Sequence, residues 1–314
     1  MSIETDMSYT ILLYYKYTTL TNPEEIVLEQ KELCAKLGLK GRIIIAPEGI
    51  NGTVEGLTEA TNDYIKVMNE STLFKDIEYK SSVGTGNAFR KLSIKLRQEL
   101  VSGHLGIDDV NPNVTTGKYV SAEELHEWFR TNKRFYIVDM RNDYEYKVGY
   151  FINSIQPNLK NFRDLPNTLP QLSHLTDEVV VTVCTGGVRC KKASGLLINK
   201  GFKDVYQLRG GIHTYMEKYP NQDFKGKLYV FDARITMGFN LNSPDHEVVS
   251  NCERCGDKSD LYIDCGNIHC VSHRHFLSCE KCICRGDKFC SDNCREIYTN
   301  FQSTLTNISQ SLKS

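Results

Sequence analysis

Apolar and polar positions fall into strand-like and helix-like stretches in turn along the chain. Residues 9–17, YTILLYYKY, are β-branched and aromatic and predict a strand. The next stretch, 22-NPEEIVLEQKELCAKLG-38, predicts a helix. Asn22 is its cap and Pro23 suits the first turn. Glu24 and Glu25 face the positive helix end, and Gly38 stops it. Ile26, Leu33 and Leu37 form its apolar stripe, with Cys34 as a small core residue. Two short strands around a Pro/Gly turn follow in 41-GRIIIAPEGINGTVEG-56. A second helix is expected from about Thr58 to Asn69, and a last strand over 89-FRKLSIKLRQELV-101.

The order β-α-β-β-α-β is the ferredoxin-like (acylphosphatase-like) arrangement. Its last strand sets Leu92, Ile94 and Leu96 on one face and Lys91, Ser93, Lys95 and Arg97 on the other. Three cations on one face suit either a solvated surface or phosphate contacts. Residues 102–117 show no periodicity and read as a linker.

Beyond Lys118 the pattern changes to strands alternating with helices. A Ser121-x-x-Glu124 capping box opens a helix through Phe129. Strand 135–140, helix 142–149, a short strand near 151–155, strand 178–183, helix 189–200, strand 204–208 and a helix from Gly211 follow. Such alternation implies a parallel sheet with helices on both faces. Residues 223–250 read as a connector, with 228-LYVFDARITM-237 as a strand, and 251–314 as a cysteine-rich region. The expected division is therefore 1–101, 102–117, 118–222, 223–250 and 251–314, a mixed α/β protein.

Charge adds little, since the formal net charge of −1 gives no global basic field. No apolar run approaches the roughly 18 residues that a membrane helix needs. The opening MSIETDMSYT has no export pattern, so a cytoplasmic protein is expected. Cysteine position is more informative than composition. Of 12 cysteines, nine fall between Cys252 and Cys294. A dense cluster without an export signal favours metal over disulfides.

In 181-VTVCTGGVRCKK-192 an apolar strand ends on Cys184 and a helix begins almost at once. Ligands of open α/β sheets bind beyond the carboxyl ends of the strands, and a helix N-terminus offers unpaired N–H groups. A thiol there has a lowered pKa and is nucleophilic. The amides of Thr185, Gly186, Gly187 and Val188 can turn inward, and Arg189 adds a positive charge. Tyrosine-phosphatase-type loops place arginine six positions after cysteine. Here it is at the fifth, a smaller ring suited to a terminal sulfur or a small oxyanion. Cys190 is either a small helical residue facing the sheet or a resolving thiol for Cys184.

The loop resembles that of rhodaneses, sulfurtransferases that carry a cysteine persulfide. 139-DMRNDYEYKVGYF-151 resembles the rhodanese Asp-x-Arg…Glu-Tyr…Gly-His-Ile segment, with Tyr150-Phe151 in place of His-Ile. 208-LRGGI-212 resembles the late Gly-Gly turn. Asp139 and Arg141 are expected to brace the site. Together with 41–56 and 89–101, these motifs resemble the rhodanese-domain tRNA uridine hydroxylases, over roughly residues 8–240. That resemblance implies catalytic Cys184, dioxygen as co-substrate and 5-hydroxyuridine at the wobble position, hence the anticodon region of tRNA as partner. A plain sulfurtransferase using a Cys184 persulfide is the alternative. Lys91, Lys95, Arg97, Lys191 and Lys192 are the RNA-contact candidates. No facial-triad spacing and no flavin or nicotinamide fingerprint is seen.

The tail offers Cys252, Cys255, Cys265, Cys270, Cys279, Cys282, Cys290 and Cys294 as ligands for two structural zinc ions, with Cys284 spare. Its two Cys-x2-Cys pairs carry that expectation, and the longer members of the family it resembles share such a tail. His273 and His275 are alternative ligands.

Overall fold

The computed structural model describes residues 8–270 and 275–311, the side chains of 305–311 excepted. The N-terminal unit runs β1 (Tyr9–Tyr17), α1 (Pro23–Lys36), β2 (Lys40–Ala46), β3 (Gly49–Leu57), α2 (Thr58–Glu70), β4 (Lys80–Gly84) and β5 (Leu92–Leu96). The sheet order is β4-β1-β3-β2-β5, with β5 parallel to β2 and the other pairs antiparallel. The ferredoxin-like core is therefore closed by β4, not by the strand expected at 89–101. KSSVG carries no apolar alternation, so only its pairing with β1 makes it a strand. The expected strand is present in shortened form as an added edge, β5.

Period-2 alternation sends the two faces of this sheet to different neighbours. Leu12, Tyr14, Ile43, Ile45 and Val54 pack into a core with Ile26, Cys34, Tyr64 and Met68 from α1 and α2. The opposite face, with Leu13, Tyr15 and Ile44, looks onto the central unit.

The central unit runs β6 (Lys118–Val120), α3 (Ala122–Arg130), β7 (Tyr136–Asp139), α4 (Asp143–Lys147), β8 (Gly149–Phe151), α5 (Leu165–Thr168), β9 (Val179–Val183), α6 (Val188–Asn199), β10 (Asp204–Leu208) and α7 (Gly211–Lys218). Four of its strands form a parallel sheet in the order β6-β10-β9-β7. The apolar run VVVTV of β9 is buried on both sides, as a central parallel strand requires. Val180 joins a core with Ala193, Leu196 and Leu197 of α6. Val181 and Val183 join one with Leu125, Ile212 and Tyr215 of α3 and α7. The Ser121–Glu124 capping box forms in both directions, at 3.1 and 2.8 Å.

In the connector, β11 (Phe224–Gly226) pairs with β8. The continuous strand expected over 228–237 is instead a tight hairpin of β12 (Leu228–Tyr229) and β13 (Thr236–Met237). Arg234 folds back on Asp232 at 2.7 and 2.9 Å, and Ile235 takes φ 61° to turn the chain. The cysteine-rich region contributes the hairpin β14 (Tyr262–Asp264) and β15 (His275–Leu277), then α8 (Glu280–Cys284) and α9 (Asp292–Ser311). Among the described residues no helix is long and apolar enough to cross a membrane.

Candidate active site

Cys184 directly follows β9, fully buried, at the carboxyl edge of the parallel sheet. The chain then turns through Gly187 at φ 101° and enters α6. The Gly187 N–H donates to Cys184 Sγ at 3.2 Å. It is the one amide of 185–188 that bonds the sulfur among the described residues. The others favouring the thiolate are the N–H groups of Arg189 and Cys190, one turn further on. Burial opposes ionisation of Cys184, but the Cys190 thiol, the Arg189 charge and these amides outweigh it and bring the thiol down to about 6. Burial and the neighbouring Cys184 push Cys190 the other way, so it stays a thiol donor. Cys190 is fully buried in the α6 core, so it is both core residue and partner of Cys184.

A second turn supports the loop from behind. Ile212 N–H donates to the Cys184 carbonyl at 2.9 Å and His213 N–H to that of Thr185 at 3.0 Å. Gly211, at φ 69°, lies so close that a Cβ there would be 2.6 Å from the Cys184 oxygen. This is why the Gly-Gly of 208–212 accompanies the cysteine loop.

Arg189 is buried too, and its guanidinium is paired. Its two terminal nitrogens meet Glu145 of α4 at 2.6 and 2.7 Å, and one also donates to Thr185 Oγ1 at 3.3 Å. Burial alone would raise the Glu145 pKa, but the Arg189 charge and hydrogen bonds hold it below its ordinary value. Arg141 fixes α4 in turn. It grips Asp139 at 2.7–3.1 Å and donates to the carbonyls of Glu145 and Gly149, with the Arg141 and Asp139 side chains fully buried. Asp139 and Arg141 thus hold in place the helix that carries Glu145. Sequence reasoning passed over Glu145, though it stands in the same quoted segment.

The loop opens into a cavity of about 490 Å³ between the central unit and the N-terminal sheet. Cys184, Gly186 and Arg189 line one side, and Leu13, Tyr15, Arg42, Ile44 and Asn51 the other, with Phe89, His104, Phe162, Arg163 and Phe231 around the rim. Register pairs Arg42 with Ser93 and Ile44 with Lys95. Lys91, Lys95 and Arg97 are therefore exposed on the same sheet face as the cavity wall. Arg42, His104 and Arg163 were not foreseen, because their nearness depends on how the two units dock.

Lys191 is half-buried, with its ammonium 5.1 Å from the Tyr119 ring. Lys192 differs from expectation. It is fully buried and paired with Glu48 at 3.0 Å and Asp109 at 3.1 Å, with Glu99 at 3.9 Å. It ties α6 to the N-terminal unit and offers no charge to RNA.

The eight tail cysteines form two groups of four, Cys252, Cys255, Cys279 and Cys282, and Cys265, Cys270, Cys290 and Cys294. Within each group the sulfurs lie within 4.8 Å of one another. Tetrahedral thiolates about 2.3 Å from one ion would be about 3.8 Å apart, so each group could hold a metal. Cys284 is exposed and outside both groups. His275 is also outside them and pairs with Asp264 at 3.1 Å. His273 lies outside the described residues.

Residues 9–100 match the family model UPF0176 acylphosphatase like domain, 121–218 the Rhodanese-like domain, and 225–295 the Rhodanase C-terminal. A tRNA uridine(34) hydroxylase of Staphylococcus saprophyticus is 40% identical over 310 residues, covering 98% of this chain and 96% of that one. One from Bacillus cytotoxicus is 39% identical over 290 residues, covering 91% and 88%. A solved rhodanese-like domain protein from Staphylococcus aureus aligns 90% of its chain with 31% of this one, at 31% identity and a TM-score of 0.28. With sequence likeness of this extent running through sheet, cysteine loop and tail alike, the chain belongs to the tRNA uridine(34) hydroxylase family.

Proposed function

We propose that this protein hydroxylates the wobble uridine of tRNA to 5-hydroxyuridine, with Cys184 as the catalytic thiolate. The observation that carries the reading is Cys184 itself. Against burial, the Cys190 thiol, Arg189 and the loop amides lower its pKa, and it sits at the floor of a cavity whose far wall belongs to a sheet face bearing Lys91, Lys95 and Arg97. Those cations, with Arg42 and Arg163, hold the anticodon backbone, while the cavity takes one base. Replacing the uridine C5–H by C5–OH with dioxygen needs two electrons and two protons for the second oxygen atom, which leaves as water. Cys190 is the resolving thiol: oxidation of the Cys184 thiolate and the Cys190 thiol to a disulfide releases two electrons and one proton, the second proton coming from water.

Each group of four tail cysteines holds one zinc ion, which supplies folding energy to a segment with little apolar core of its own. Four thiolates leave no open position, so the ions are structural. The working division into 1–101, 102–117, 118–222, 223–250 and 251–314 and a cytoplasmic location complete the reading. Sulfur transfer through a Cys184 persulfide is the second reading, favoured by arginine at the fifth position of the loop.

Cells lacking the protein are expected to lose wobble 5-hydroxyuridine, and Cys184→Ser to leave it lost. Mass spectrometry of bulk tRNA nucleosides that finds full restoration by Cys184→Ser would refute the catalytic assignment.

A further inference from the structure

Tyr15 is a residue of the N-terminal sheet that reaches the cysteine loop. It lines the cavity with Cys184 and is half-buried there. A Cβ built on Gly187 would come 2.9 Å from the Tyr15 hydroxyl, so that hydroxyl hangs directly over the residue whose N–H binds Cys184 Sγ. Its neighbours on β1 engage their hydroxyls within the protein. Tyr14 bonds Tyr64 at 2.5 Å, and Tyr17 donates to the Val188 carbonyl at 3.2 Å. The Tyr15 hydroxyl has no hydrogen-bond partner among the described residues. A donor left unengaged in a cleft, against the loop that binds a reactive sulfur, is available to a ligand.

Lys80 supports the same point. Register sets it opposite Leu13, on the face that looks into the cleft. It is 6% exposed, and its ammonium lies 5.1 Å from the Tyr15 ring. Its one hydrogen bond among the described residues, to the Glu78 carbonyl, is long at 3.4 Å. A buried cation this poorly bonded is costly to keep. Here it lies behind the ring of Tyr15 and in the field of Cys184, and burial holds its own pKa down.

We propose that Tyr15 is a catalytic residue, donating its O–H to the anionic atom that Cys184 carries during the reaction, and that Lys80 is a positioning residue acting through the Tyr15 ring. The N-terminal unit then completes the reacting centre as well as binding RNA. Only the tRNA arm of the test rests on the hydroxylase reading.

Tyr15→Phe in the full chain is assayed two ways. The first is 5-hydroxyuridine formation on tRNA. The second is loading of Cys184 by thiosulfate, in which the thiolate takes the outer sulfur to give an anionic persulfide and sulfite leaves. Removing one donor of this kind is expected to lower kcat by about 10²-fold, with KM for tRNA and the melting temperature unchanged. Sulfur loading is expected to slow as well. Lys80→Met is expected to lower the rate while Tyr15 is intact and to add nothing in the Tyr15→Phe background. Lys80→Arg is expected to retain the rate.

Slowed loading in a protein that never hydroxylates tRNA would support Tyr15 and sink the hydroxylase reading. Wild-type rates in both assays would overturn the proposal. So would a loss that comes with a lowered melting temperature or with loss of Cys184 alkylation, since these mark a structural role.

Discussion

Glu145 of α4 and Arg189 of α6 meet through both carboxylate oxygens, at 2.6 and 2.7 Å, inside the protein. The pair joins the strand-to-helix turn that carries Cys184 to the helix that Arg141 anchors. Glu145→Gln keeps the shape and leaves the guanidinium buried without its countercharge. Breaking a buried pair from one side costs roughly 3–5 kcal/mol. Urea unfolding is expected to show a loss of that order, and a loss under about 1 kcal/mol would mean that solvent reaches the pair.

Cys184 should be alkylated as a thiolate. Only the deprotonated form reacts, so its rate rises with pH and levels off above a midpoint near 6. Cys190→Ala removes a donor to a charged group, worth about 1.5–3 kcal/mol, and should move the midpoint up by about 1–2 pH units. Iodoacetamide labelling followed by mass spectrometry on the Cys184 peptide reads both. A midpoint that stays near 6 in Cys190→Ala would show that Arg189 and the amides suffice.

Gly211→Ala asks a left-handed residue, φ 69°, to carry a Cβ that would be 2.6 Å from the Cys184 oxygen and 2.7 Å from that of Thr185. Backbone strain alone costs about 1–3 kcal/mol, and the clash falls on the loop. Activity and the raised thiolate population at Cys184 are expected to fall together. An active Gly211→Ala variant would show that the loop tolerates displacement.

His213 is 2% exposed, and burial first, then Lys80 and Arg234, lowers its pKa to about 4. Between about pH 6.5 and 4 the unfolded chain binds a proton that the folded one refuses, so stability falls as pH falls through this window. The full effect is on the order of 3 kcal/mol. His213→Gln should flatten this part of the stability profile. An unchanged slope in chemical denaturation across the window would assign the acid sensitivity to other groups.

The two cysteine groups predict two metal ions per chain. Cys284→Ser should keep both, and Cys282→Ser should lose one, as read by metal analysis of the purified protein.

Much of this was legible in the residues, for reasons that differ by site. The Cys184 loop was readable because strand, glycines and helix start are local in sequence. The cysteines of the two tail groups could be picked out because Cys-x2-Cys spacing is local as well. β4 was not, since KSSVG owes its strand state to its pairing with β1. Lys192 looked like Lys191, yet one step along α6 turns a side chain by roughly a quarter of the helix circumference. That step places Lys192 against Glu48 and Asp109. Tyr15 and Lys80 could not be assigned either, because the face they occupy meets the loop only after two units dock.

The cysteine groups alternate along the chain. Cys252 and Cys255 belong to one, Cys265 and Cys270 to the other, Cys279 and Cys282 return to the first, and Cys290 and Cys294 to the second. Binding an ion between Cys255 and Cys279 encloses Cys265 and Cys270 in a closed loop. It also brings the start of α8, and so Cys290, nearer to them. The second ion then closes a shorter effective loop and loses less chain entropy. Metal uptake should therefore be cooperative, with little of the singly loaded form at partial occupancy.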